Sequence, residues 1–189
     1  MTSRSSTIIK RTAAAVLIIA AVLIALYWYG FFMPSYIQWH EREYVMDLDG
    51  DGTEETLTLK NRKITLSENG TVLCEKPQWL VSDVLCADID HDGITEAVML
   101  AWVHGDYGES HPFWERNQYL IFSEHFYIFE VRDHTLYPQW MSSKLIPEIV
   151  TWKLNDDMSF TFTDPDGEES IWAWLSWGME RIDQEYEPY

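Results

Sequence analysis

"DIDHDGITEAVML", residues 88–100, sets three aspartates at alternate positions, follows them with a glycine and a glutamate, and runs at once into apolar residues. "DLDGDGTEETLTL", residues 47–59, repeats the arrangement upstream. Laid over each other, "YVMDLDGDGTEETLTL" (44–59) and "LCADIDHDGITEAVML" (85–100) align without a gap. Asp47 matches Asp88, Asp49 matches Asp90, Asp51 matches Asp92, Gly52 matches Gly93 and Glu55 matches Glu96. An acidic loop of fixed length between short apolar runs reads as a strand–loop–strand unit, and its duplication makes the chain a β-repeat protein.

Working outward, short β-type runs recur on both sides: "EREYVM", "TLTL", "KITL", "TVLCE", "SDVLCA", "EAVMLAWV", "QYLIF", "HFYIFEV", "TLYPQWM", "EIVTWKL", "SFTFT" and "IWAWLSW". Each is bounded by Asp, Asn, Gly or Pro. "SENG" (67–70), "RDHT" (132–135), "NDD" (155–157) and "DPDG" (164–167) read as hairpin turns, and the last is a turn before it is a metal loop. The sequence therefore predicts an all-β domain. A degenerate third copy of the loop lies in "TWKLNDDMSFTF", where Lys153 replaces the first aspartate, Leu154 matches Leu48 and Ile89, Asn155 and Asp157 hold the next two positions, and Met158 replaces the glycine.

The chemistry of the two intact loops points to calcium, a hard ion that takes six to eight oxygens at about 2.3–2.6 Å. Carboxylates at alternate positions can fold round such an ion, the glycine permits the sharp turn, the next residue (Thr53 or Ile94) can give its carbonyl, and the glutamate closes the shell. Magnesium suits this ligand set less well, because it asks for fewer protein ligands in a stricter geometry. The helix-flanked loop of the EF-hand is excluded: its closing glutamate would fall at Thr58 or Met99, inside β-type runs.

Asp-x-Asp-x-Asp-Gly-x-x-Glu between two strands resembles the FG-GAP and VCBS repeats, which form calcium-binding blades of integrin-like β-propellers. The resemblance implies a bacterial, membrane-anchored member with two calcium sites, one on Asp47, Asp49, Asp51, Thr53 and Glu55 and one on Asp88, Asp90, Asp92, Ile94 and Glu96. "HFYIFEVRDHTLYPQWMSSKL" is similar to the strand–turn–strand that follows the loop in such proteins. It further implies two to three propeller-blade-like antiparallel repeats, too little material for a closed propeller within one chain.

No charged residue occurs from Ala13 to Met33, a stretch that spans roughly 30 Å as a helix and so matches the hydrocarbon thickness of a bilayer. Arg4, Lys10 and Arg11 precede it and Tyr27, Trp28 and Tyr29 mark its far end, so the expected topology is a cytoplasmic N-terminus and an extracytoplasmic remainder. A cleaved signal peptide would need small residues after the apolar run, where "LYWYGFFMP" is bulky and aromatic. The expected organisation is a tail over 1–12, a transmembrane helix over 13–33, a linker over 34–42 and a β-repeat domain over 43–189.

Of the 13 Lys and Arg residues only ten lie beyond the apolar segment, against all 31 Asp and Glu. Such a surface is unsuited to nucleic acid, whose phosphates are held by Lys and Arg. Cys74 and Cys86 match no zinc spacing, and two strand thiols or a disulfide both remain open.

"HGDYGESHPFW" (104–114) offers His104, Asp106, Glu109 and His111 as a candidate hydrolytic metal site, although no set of nucleophile, base and orienting group accompanies them. Trp172, Trp174 and Trp177 could form a sugar-stacking platform, but the apolar residues between them favour a strand buried on both faces. The expectation is a membrane-anchored calcium-binding module for adhesion or assembly, meeting a protein or glycan partner or further copies of itself. A carbohydrate-binding accessory protein and a metal-dependent hydrolase are the alternatives.

Overall fold

The computed structural model describes the chain except residues 1, 77, 108–112, 115, 117, 119 and 185–189, and residues 2–9 by backbone alone. Contacts divide it into two units, residues 1–35 and 36–189. In the first, helix α1 (Thr2–Trp28) carries the apolar stretch, and its segment Lys10–Trp28 is long and apolar enough to be a membrane span or a signal sequence. The helix stops sooner than the sequence suggests: Tyr29–Phe32 form a turn in which Gly30 takes a positive φ of 68°. A left-handed residue at this point is an ordinary helix stop.

Among the described residues, the second unit has twelve strands in three four-stranded antiparallel sheets, each a run of consecutive strands. The first contains β1 (Arg42–Met46), β2 (Glu55–Lys60), β3 (Lys63–Glu68) and β4 (Thr71–Glu75). The second contains β5 (Leu80–Ala87), β6 (Glu96–His104), β7 (Phe122–Arg132) and β8 (Thr135–Met141). The third contains β9 (Thr151–Leu154), β10 (Phe160–Thr163), β11 (Glu169–Leu175) and β12 (Gly178–Arg181). None of the sheets closes into a barrel, and the expected all-β architecture holds at this level.

Turn chemistry enforces the meander. Asn61-Arg62, Asn69-Gly70 and Asp133-His134 are two-residue hairpin loops with both φ values positive, the geometry whose twist matches that of the flanking strands. Pro138 is tolerated because β8 is an edge strand with an irregular register at that point.

The core has two parts, one on each side of the second sheet. Leu57, Leu59, Ile64 and Leu66 of the first sheet pack with Ala97, Met99, Tyr127 and Phe129 of the second. On the opposite face, Val98, Leu100, Phe126 and Ile128 pack with Phe160, Phe162 and Met179 of the third. The middle sheet is thus covered on both faces, which is why "EAVMLAWV" is a continuous apolar run, while β2 alternates buried and half-buried positions.

The linker expected over 34–42 is partly built into the β unit: Ile37 is buried, and His40 N–H donates to the Ser82 carbonyl at 2.9 Å. Three further expectations differ from the structure. Among the described residues of "QYLIF", Phe122 alone belongs to a strand, because the Ile121 N–H closes a turn onto the Gln118 carbonyl at 3.1 Å. "EIVTWKL" is extended in a ladder only from Thr151. Lastly, β11 is covered on one side only: Trp172 and Trp174 pack into the core while Ile171 and Leu175 are exposed, since the third sheet is an outer layer.

Candidate metal-binding loops

Both acidic loops join the first strand of a sheet to its second, β1 to β2 and β5 to β6. Four hydrogen bonds are common to both, and the first loop adds one from Gly50 N–H to Asp47 at 2.7 Å. In the first loop, Gly52 N–H donates to Asp47 at 3.0 Å, Asp51 N–H to Asp49 at 3.2 Å, Thr53 N–H to Asp51 at 2.7 Å and Leu48 N–H to Glu55 at 2.8 Å. In the second, Gly93 N–H donates to Asp88 at 3.1 Å, Asp92 N–H to Asp90 at 3.2 Å, Ile94 N–H to Asp92 at 2.8 Å and Ile89 N–H to Glu96 at 2.8 Å. Gly52 and Gly93 share a φ of 91°, a conformation that other residues adopt only under strain.

The second loop brings all four predicted carboxylates together: ligand oxygens of Asp88, Asp90, Asp92 and Glu96 lie within 4.8 Å of one another. The first gathers Asp47, Asp49 and Glu55 to the same tolerance, without Asp51. Leu48 and Ile89, between the first two aspartates, are buried and anchor each loop to a core cluster. Thr53 and Ile94, the expected carbonyl donors, follow the glycines and are half-buried.

Glu55 and Glu96 are fully buried, and each has one oxygen held by a backbone N–H. Their other oxygens, Glu55 Oε1 and Glu96 Oε1, together with Asp88 Oδ1, are buried with no hydrogen-bond partner among the described residues. An unpartnered buried polar atom costs about 1–3 kcal/mol, more if charged, so these atoms leave room for a ligand that accepts lone pairs. Burial, reinforced by the three neighbouring aspartates and opposed by the Ile89 N–H bond, pushes the Glu96 carboxyl up to about 7. Glu55 is raised by the same causes. A cation would offset both the burial and the crowding.

The degenerate third loop occupies the equivalent place, between β9 and β10. Its polar groups are used internally: the Asn155 side-chain amide donates to Ser159 and Thr161, and Asp157 accepts from the Ser159 N–H and hydroxyl. Lys153 is an exposed residue of β9 paired in register with Thr161. Among the described residues, no group of clustered acids forms there.

Of the candidate hydrolytic loop, Glu109 and His111 lie outside the described residues. His104 ends β6 with its ring 3.8 Å from that of Phe122, and burial lowers its basicity. Asp106 pairs with Lys144 at 3.2 Å. Cys74 and Cys86 are free thiols, and burial pushes the Cys86 thiol up to about 12.

Sequence reading missed three polar residues that organise this unit. Asp83 of β5, buried, accepts from Arg42 Nε of β1 at 2.9 Å and from the Trp152 indole of β9 at 2.9 Å, so the first strands of all three sheets meet at one carboxylate. Glu124 of β7, also buried, accepts from the Ile149 N–H and is pushed up to about 8 by burial, with Glu148 adding to the shift. Gln139 of β8 donates from Nε2 to Asp90 Oδ2 at 2.8 Å. None of the three stands in a recognisable motif; each acts across the sheet register.

The arrangement defines a class: an antiparallel β-repeat unit, preceded by an apolar helix, with acidic clusters able to hold a metal in the first loop of two of its three sheets. No family model, curated protein or solved structure matches the chain.

Proposed function

We propose that this is a membrane-anchored, extracytoplasmic calcium-binding repeat protein of the FG-GAP/VCBS kind, in which blade-like sheets form a binding or assembly module and two calcium ions hold the loops between their first strands. The observation that carries the reading is the pair of superposable loops, each closed by a fully buried glutamate with one unpartnered oxygen. Asp47, Asp49 and Glu55 would hold one ion and Asp88, Asp90, Asp92 and Glu96 the other, with Asp51, Thr53 and Ile94 supplying what remains of each shell. The ion's role is charge neutralisation and loop closure. The convergence of β1, β5 and β9 on Asp83 supports a radial, blade-like relation of the sheets.

Basic residues before the apolar stretch and none of the 31 acids there support a cytoplasmic N-terminus with the acidic unit outside, where calcium is abundant. Melting the full chain in detergent with calcium chloride and then with a chelator tests the proposal, because a ligand that binds only the folded state raises its stability. A melting temperature several degrees higher with calcium supports it, and identical curves count against it.

A second reading, glycan recognition, is favoured by a cavity of about 490 Å³ between the second and third sheets, lined by Trp140, Trp172 and Trp177 with Asp164, Glu168 and Arg181 among its polar groups. Aromatic faces beside carboxylates suit a sugar's C–H and O–H groups. Quenching of tryptophan emission by soluble glycans, lost in Trp177→Ala, would support it.

A further inference from the structure

The first two sheets are equivalent beyond their loops. Thr56 pairs with Ser67 where Ala97 pairs with Phe129, and Ser67 pairs with Val72 where Phe129 pairs with Pro138. In both sheets the next pair skips one residue of the outer strand: Leu66 faces Cys74 and Ile128 faces Trp140. The skipped residues, Leu73 and Gln139, are therefore the same bulge in two repeats. A bulge re-aims a side chain, and here the two repeats use it differently.

In the second sheet the re-aimed side chain reaches an acidic loop 49 residues away in sequence, with Gln139 Nε2 donating to Asp90 Oδ2 at 2.8 Å. In the first, Leu73 has nothing to donate and packs against the apolar cluster instead. Asp49 and its counterpart Asp90 each accept an N–H of their own loop at 3.2 Å, from Asp51 and Asp92, so the Gln139 bond is what Asp90 has in addition. The clusters also differ in number: four carboxylates gather in the loop that Gln139 reaches and three, without Asp51, in the other. Independently of the acids being close, Glu96 is fully buried at that cluster with Oε1 unpartnered among the described residues, an atom turned over to a ligand.

Resting on the reading of the loops as calcium sites, we propose that Gln139 is a positioning residue that makes the 88–96 loop the tighter of two unequal sites. Asp90 stands beside Asp88 and Asp92, like charges that push its carboxylate toward solvent. A hydrogen bond from outside the loop fixes its rotamer before any ion arrives and spreads part of its charge. It also leaves lone pairs on both oxygens, since a carboxylate oxygen accepts more than one partner. Loss of such a supporting bond typically weakens metal binding by about 10–100-fold. Leu73 gives the first loop no equivalent help.

The test is calorimetric titration of the full chain in detergent with calcium chloride. Wild type should show two events of unequal affinity, with Glu96→Gln removing the tighter and Glu55→Gln the weaker. Gln139→Leu, which installs the residue the first repeat carries at the same bulge, should weaken the tighter event about 10–100-fold and leave the weaker unchanged. Gln139→Met, close in length and without a donor, should do the same. Melting in chelator separates this role from simple packing: both variants should melt with wild type there, whereas a merely structural Gln139 would lower that temperature and spare the affinity. Unchanged affinity in both variants, or loss of the tighter event in Glu55→Gln, overturns the inference while leaving the calcium reading intact. Absence of both events from wild type overturns the calcium reading and this inference with it.

Discussion

Glu96→Gln should stabilise the calcium-free protein and weaken the calcium-bound one. In the folded chain, burial and the charges of Asp88, Asp90 and Asp92 push the Glu96 carboxyl from 4.5 to about 7. Across that interval the folded state keeps a proton that the unfolded chain releases, at a cost of about 1.4 kcal/mol per pH unit, or about 3 kcal/mol in all. The stability Glu96 contributes is thus fully present below pH 4.5 and lost as the pH rises through about 7. Glutamine keeps a carbonyl oxygen for the Ile89 N–H but carries no charge to bury. Denaturant unfolding in chelator between pH 5 and 8 is the assay. The variant should match wild type at the acid end and exceed it by about 2–3 kcal/mol above pH 7.5, and adding calcium should reverse the order. A variant less stable than wild type in chelator at every pH would refute the idea that the buried charge is an unmet cost in the ion-free loop.

Glu124→Gln should likewise remove a loss of stability that runs from pH 4.5 up to about 8, but equally with and without calcium, because Glu124 bonds the Ile149 N–H and lies outside both clusters; parallel denaturant series in the two conditions check this. Gly93→Ala meets no atom within 4 Å but places a side chain at a φ of 91°, so it should cost about 1 kcal/mol or more through backbone strain alone, read from chelated melts. Gly178→Ala would set its Cβ 2.5 Å from Trp140 Nε1, forcing the indole to move; the expected loss is about 1–3 kcal/mol together with a shift in tryptophan emission.

What could be read in the sequence was whatever is local. The acidic loops were legible because all their ligands fall within nine consecutive residues, Asp47–Glu55 and Asp88–Glu96, and the hydrogen bonds inside each loop span at most seven positions. The middle sheet was legible too, since a strand covered on both faces must be apolar throughout. The same rule misled at "IWAWLSW": its composition suits a middle strand, but which sheet ends the stack is a property of layer order that no local window contains. "GMER" gave no strand signal, and β12 forms because Met179 is drawn into the core beside the close approach of Gly178 to Trp140. Gln139, Asp83 and Glu124 were invisible for a related reason. Each is a strand residue outside any motif, and its meaning depends on what the fold brings to it: Asp90, Arg42 with Trp152, and Ile149.

Calcium stoichiometry of the full chain, measured by equilibrium dialysis in detergent at neutral pH, tests the central claim most directly. Two ions per chain, falling to one in Glu55→Gln or Glu96→Gln and to none in the double variant, is the predicted result. Wild type that retains no calcium at millimolar concentration, or a stoichiometry unmoved by both substitutions, would contradict it.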